Sequence, residues 1–167
     1  MPFDYEANVT AVRNALRTQN TTTANPDLSS GLTTRVQTIE IDDPEVSGIQ
    51  WRDLPAVYVR VSSADEDMAS LGAPGPLTTN VQKLKNVTYE ISGLYHKEGA
   101  AQLTRDTMTE LYRLAENIEG VFQREYRLSN TAMWCNPKAS QFGQGVLGDG
   151  TRIKGVLVTL DARYIFR

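Results

Sequence analysis

At 167 residues, with 40% hydrophobic and 22% charged side chains, the chain has enough apolar material for one cored domain and is too apolar for a disordered tail. Its formal charge of -3 predicts no global attraction to nucleic acid, and no apolar run approaches the roughly 20 residues of a membrane-spanning helix. Met1–Glu6 carries neither a basic region nor an apolar core, so no secretory signal peptide is expected, and the single cysteine, Cys135, has no intrachain disulfide partner.

Residues 4–18 predict a first helix. Tyr5, Val9, Val12 and Leu16 recur at spacings of four, three and four, with Asp4 and Glu6 at the positive end and Arg13 and Arg17 at the negative end. Asn20 to Gly31 is a polar loop. Arg35 to Ile41 alternates as a strand until Asp42-Asp43-Pro44-Glu45 breaks it. The run Leu54-Pro55-Ala56-Val57-Tyr58-Val59-Arg60-Val61 predicts a second strand. Val57, Val59 and Val61 share one face, Ala56, Tyr58 and Arg60 the other, and Pro55 stands at its first residue or outside it.

Residues 62–80 predict a long loop. It carries Asp65, Glu66 and Asp67, then Gly72, Pro74, Gly75 and Pro76, and lacks the lysine of a phosphate-cradling loop. Residues 86–97 predict a strand with Val87, Tyr89, Ile91, Gly93 and Tyr95 on one face, where Gly93 marks a bulge or the close approach of another element. Residues 100–125 predict the organising helix. Leu103, Thr107, Leu111, Leu114, Ile118 and Phe122 form its stripe, and Met108, Ala115 and Val121 widen it.

The stretch from Tyr126 to Cys135 fits no single pattern. Residues 136–150, with Gly143, Gly145, Gly148 and Gly150, predict a flexible connection or hairpin loop ending in a tight Asp149-Gly150 turn. Residues 152–167 predict a long closing strand, with Val156, Val158, Leu160, Ala162, Tyr164 and Phe166 on its apolar face.

This order predicts a two-layer α+β domain over residues 1–167. An antiparallel or mixed sheet of four to five strands carries two helices on one face, with long loops at 62–80 and 136–150. The other face has no predicted cover. Tyr58, Arg60, Thr88, Glu90 and Arg163 would line it and make it a natural place for assembly contacts.

No residue pattern points to a reaction. His96, the one histidine, lies in a strand without a nearby cysteine. No Cys-x-x-Cys or His-x-x-x-His spacing suggests a metal, and no Gly-x-Ser-x-Gly elbow suggests a nucleophile. Cys135 beside Trp134 reads as a small buried apolar residue. The pairs Asp42-Asp43 and Glu66-Asp67 read as solvated loop surface. Arg124 and Arg127 flank Tyr126 in a local basic and aromatic patch too small for a nucleic-acid site. No catalytic residue, cofactor or metal is expected.

Three stretches in this order resemble the tail-terminator or tail-completion proteins of long-tailed bacteriophages. They are the first helix followed by Leu54–Val61, the strand Val87–Tyr95 entering the helix Leu103–Phe122, and the closing strand Gly155–Ile165. The resemblance covers nearly the whole chain, although its motifs are strand and helix patterns and not a catalytic signature. It implies a structural virion protein of the tail-neck region, assembled in the host cytoplasm. Its hexameric ring would cap the tail tube, end tail growth and meet a head-completion or connector protein. DNA would pass through the lumen without specific binding, and no membrane would be involved. The size of the two loops departs from the pattern and leaves open which side of a ring each faces. On this reading Asp65, Glu66, Asp67, Arg60, Arg124, Arg127 and Arg163 are candidates for the assembly surface. The alternatives are another neck component, such as a head-closure or minor tail protein, or a small ligand-binding or hydrolytic α+β domain.

Overall fold

The structure is a computed structural model that describes residues 3–20, 28–41, 49, 51–67, 83–96, 105–148 and 150–166. Helix α1 (Tyr5–Thr18) is followed by β1 (Thr38–Ile41), a short 3-10 turn (Trp51–Asp53), β2 (Ala56–Asp67) and β3 (Lys83–Tyr95). Helix α2 (Arg105–Arg124), β4 (Trp134–Val146) and β5 (Arg152–Phe166) complete the order. The five strands form one mixed sheet in the order β1-β2-β3-β5-β4. The β1–β2 pair is parallel and the other three pairs are antiparallel. Both helices pack on the same face, α1 over β1 and β2, and α2 over β3, β5 and β4. This is the expected two-layer α+β arrangement.

The apolar stripes meet the apolar strand faces. Val9, Val12 and Leu16 of α1, with Leu111, Leu114, Ile118, Val121 and Phe122 of α2, close over Val57, Val59, Val87, Tyr89, Ile91, Val158, Leu160 and Tyr164. Each large side chain so buried is worth roughly 1.5–3 kcal/mol, which is what stabilises helices too short to stand alone. The start of α1 is fixed locally, because the Asp4 carboxylate accepts the Ala7 N–H at 2.9 Å. The Tyr89 and Tyr164 hydroxyls satisfy each other at 2.8 Å inside the core.

A polar edge of α2 ties down the segment after the first loop. Asn117 donates to the Leu28 and Ser30 carbonyls, both at 2.9 Å, and Arg113 donates to the Gly31 carbonyl at 2.8 Å. The buried Glu110 carboxylate accepts the Thr33 hydroxyl and, at 3.3 Å, the Thr33 N–H. These bonds lie on helix positions three and four apart, so one flank of α2 serves the whole segment.

Four readings from the sequence change. First, residues 62–67 are not loop but the continuation of β2, paired with β3 as far as Asp67 opposite Leu84. Residues 68–80 lie outside the described residues. Second, residues 136–146 are not a flexible connection but most of β4, in register with β5 from Trp134 opposite Arg163 to Val146 opposite Arg152. Third, of the two expectations at Gly93, the bulge is absent and the close approach is present: the register shifts fall between Val61 and Ser63 and between Pro137 and Ala139, while Leu114 and Ile118 of α2 come against Gly93. Fourth, the second sheet face is partly covered. Ile49, Leu54 and Leu147 form a small cluster there with Ala56, Leu94 and Ile153, and Tyr58 packs beside it.

The ambiguous stretch after α2 is a tight reversal. Leu128, Ser129 and Asn130 hold φ of 45°, 56° and 69°, a left-handed run that brings the chain back beneath α2. It is anchored by buried Leu128 and by the Cys135 N–H donating to the Tyr126 carbonyl at 2.6 Å. Pro55 sits immediately before β2, where its carbonyl accepts the Gln37 N–H at 2.8 Å.

Candidate assembly surface

The face opposite the helices is built from polar side chains in cross-strand register. Arg60 and Glu90 are opposite each other on β2 and β3, and the Arg60 Nε donates to Glu90 at 2.7 Å. Ser62 donates to the same carboxylate at 3.0 Å. One strand further, the Thr88 hydroxyl donates to Asp161 at 3.0 Å, and Lys138 forms an ion pair with Asp161 from the β4 bulge. Each carboxylate therefore has two partners, and the pairs together cross three strand junctions. Cross-strand pairs of this kind contribute only tenths of a kcal/mol each, but they fix side chains in one arrangement and give a rigid surface.

The proposed surface residues do not form one patch. Arg60, Asp65 and Arg163 lie on the open face, because their partners in register are Glu90, Asn86 and again Asn86. Glu66 points to the helix side, where it accepts Lys83 at 2.8 Å and lies 3.7 Å from Lys85. The hydrogen bond from Lys83 holds the Glu66 carboxyl below its ordinary range. Hydrogen bonding to Tyr5, together with Glu66, holds Lys85 above its own. Asp67 ends β2, and Arg124 and Arg127 are exposed at the end of α2 and in the turn after it. Of the acidic run 65–67 only Glu66 meets the basic start of β3, while Asp65 and Asp67 lie opposite Asn86 and Leu84.

The β4 edge is what the sequence reading missed. Among the described residues no strand lies on its outer side. The strand is 13 residues long and carries one charge, Lys138. Phe142 is 44% exposed and meets Tyr112 of α2, itself 48% exposed, edge to face with ring centroids 5.0 Å apart. Ser140 donates to Glu119 of α2 at 2.5 Å. Beyond the bulge at Pro137 and Lys138, the stretch Ser140 to Val146 is an uncharged edge, and such edges invite pairing with another chain. The available signal was the sequence Ser-Gln-Phe-Gly-Gln-Gly-Val, in which polar and apolar residues make no alternation because little of it is buried.

His96 and Cys135 both lie against backbone carbonyls. The Nδ1 of His96 lies 3.0 Å from the Arg152 carbonyl. Among the described residues no group of three His, Cys, Asp or Glu side chains is placed to hold a metal. Cys135 is buried at 5% exposure, with its sulfur 3.6 Å from the Glu125 carbonyl, and burial pushes its thiol up to about 12. Burial likewise pushes the Tyr89 hydroxyl up to about 12 and raises that of Tyr164 further. A neutral, enclosed thiol is a poor nucleophile. A thiol-specific disulfide reagent at pH 8 is therefore expected to label native Cys135 at least a hundredfold more slowly than the urea-unfolded chain. Equal rates would contradict the buried position. Because the folded-state value is raised, the thiol's contribution to stability is complete below its ordinary 9.0 and is lost as pH climbs towards about 12.

No family model matches the chain, and no curated protein matches it. Among solved structures it is similar to a chain from the virion of a native gene transfer agent particle. The identity is 13%, the TM-score 0.44, and the match covers 98% of this chain and 100% of that chain. A likeness at that level fixes neither the fold nor the function.

Proposed function

We propose that the chain is a structural virion protein, a tail terminator whose copies form a hexameric ring. The ring caps the tail tube, ends its growth and joins the tail to the head connector. The observation that carries this reading is the asymmetry of the sheet: helices cover one face, a rigid polar network faces the other way, and β4 ends the sheet in a long, nearly uncharged edge. An isolated protein gains nothing from such an edge, whereas a subunit uses it to bind its neighbour. The order of strands and helices that resembles tail-terminator proteins supports the same reading. The net charge of -3 suits a lumen through which DNA slides without sticking. Arg60, Asp65 and Arg163 on the open face, and Arg124 and Arg127 at the end of α2, are the residues proposed to meet the tail tube or the connector.

Tail assembly in the absence of the protein tests the function. Extracts lacking it are expected to yield tail tubes of unregulated length that do not join heads, and added protein is expected to restore uniform, joined tails. Tubes of normal length that fail only to join heads would point to a different neck component. Normal, joined tails would overturn the proposal.

A further inference from the structure

We infer that the ring closes head to tail: the β4 edge and outer flank of α2 of one copy bind the α1 and β1 side of the next. This rests on the ring reading and adds which surfaces meet. Following the pairings across the sheet, one parallel and then three antiparallel, β4 runs opposite to β1. The two ends of the sheet thus present strands of opposite direction, and a second copy placed beside β4 in the same orientation continues the layer in an antiparallel sense.

The charges on the flanking helices decide the arrangement. Tyr112, Glu116 and Glu119 recur at spacings of four and three on the β4 side of α2, where Tyr112 touches Phe142 and Glu119 accepts Ser140. This flank is acidic with an aromatic centre. At the other end of the molecule, Arg17 reaches over β1 to the Ile39 carbonyl at 3.1 Å and to Glu40 at 2.7 Å. Arg13 lies one turn earlier on the same side of α1, and its buried Nε has no hydrogen-bond partner. This flank sets two arginines, Arg13 and Arg17, against the one carboxylate of Glu40, so these three side chains are net positive. Head-to-tail contact therefore sets acid against base. A two-fold contact of β4 with β4 would set Glu116 and Glu119 of one copy beside the same residues of its partner, and like charges brought together disfavour it. Heterologous contacts between unlike patches close rings, whereas the two-fold alternative stops at a dimer.

Charge reversal on the full chain tests the contact, with mass read by light scattering. The E116R/E119R variant and the R13E variant are each expected to need at least about tenfold more protein to form the ring. Mixing the two variants is expected to restore it, because reversed flanks then meet each other and wild-type flanks meet wild-type flanks around an even-numbered ring. Each variant is expected to remain folded with a melting temperature within a few degrees of the wild type, since E119R gives up one hydrogen bond from Ser140 and Arg13 is only partly covered. If the wild type forms rings and E116R/E119R, folded as judged by its melting curve, forms them equally well, this contact is overturned while the ring reading stands. If the wild type forms no ring in solution or on tail tubes, the ring reading itself fails, and this contact with it.

Discussion

Phe122→Ala is expected to lower stability by about 3–5 kcal/mol. Phe122 is fully buried in the last part of α2, within the core formed with Tyr89, Leu160 and Tyr164. Truncation loses the transfer energy of the ring and leaves a cavity that the neighbours fill only in part. It also loosens the point where α2 hands over to the left-handed turn, since the Cys135 sulfur lies 4.0 Å from the Phe122 carbonyl. Urea unfolding checks this through the midpoint at unchanged slope. A loss below about 1 kcal/mol would mean that α2 is not seated on the sheet as described.

Gly93→Val is expected to cost about 3 kcal/mol for the opposite reason, overpacking. A Cβ at this position would lie 2.9 Å from Leu114 Cδ2, 3.0 Å from Val156 Cγ1 and 3.4 Å from Ile118 Cδ1. The backbone of β3 meets α2 here with no space for a branched side chain, so either the helix lifts or Leu114 leaves its rotamer. Gly93→Ala is expected to cost less, and combining it with Leu114→Val is expected to recover part of the loss. Such coupling is diagnostic of direct contact. Additive effects in thermal unfolding would place Gly93 away from α2.

Where side chains are buried on one face, the sequence predicted the structure well. The alternation through β3 and β5 and the stripes of α1 and α2 mark the core, because burial selects one residue type on one face at the period of the element. Where pairing alone holds a strand, that signal disappears. Residues 62–66 of β2 are largely solvated, so their polarity resembled a loop; the readable cue was Glu66, which meets Lys83 and Lys85 across the sheet. Most of β4 is hidden in the same way, as an edge strand whose glycines and glutamines bury little. The polar contacts of Arg60, Glu90, Thr88, Asp161 and Lys138 combine residues up to 101 positions apart in sequence, from Arg60 to Asp161. Only the register between strands brings them together. Three of these residues, Arg60, Thr88 and Glu90, were readable as open-face residues, because strand parity alone assigns a face.

The most direct measurement is the mass of the purified protein by light scattering across concentration, alone and on tail tubes, with electron microscopy of the large species. A species of about six subunits with a central hole is expected, either free in solution or seated at the tube end. A monomer at every concentration that also leaves tube ends bare would contradict it.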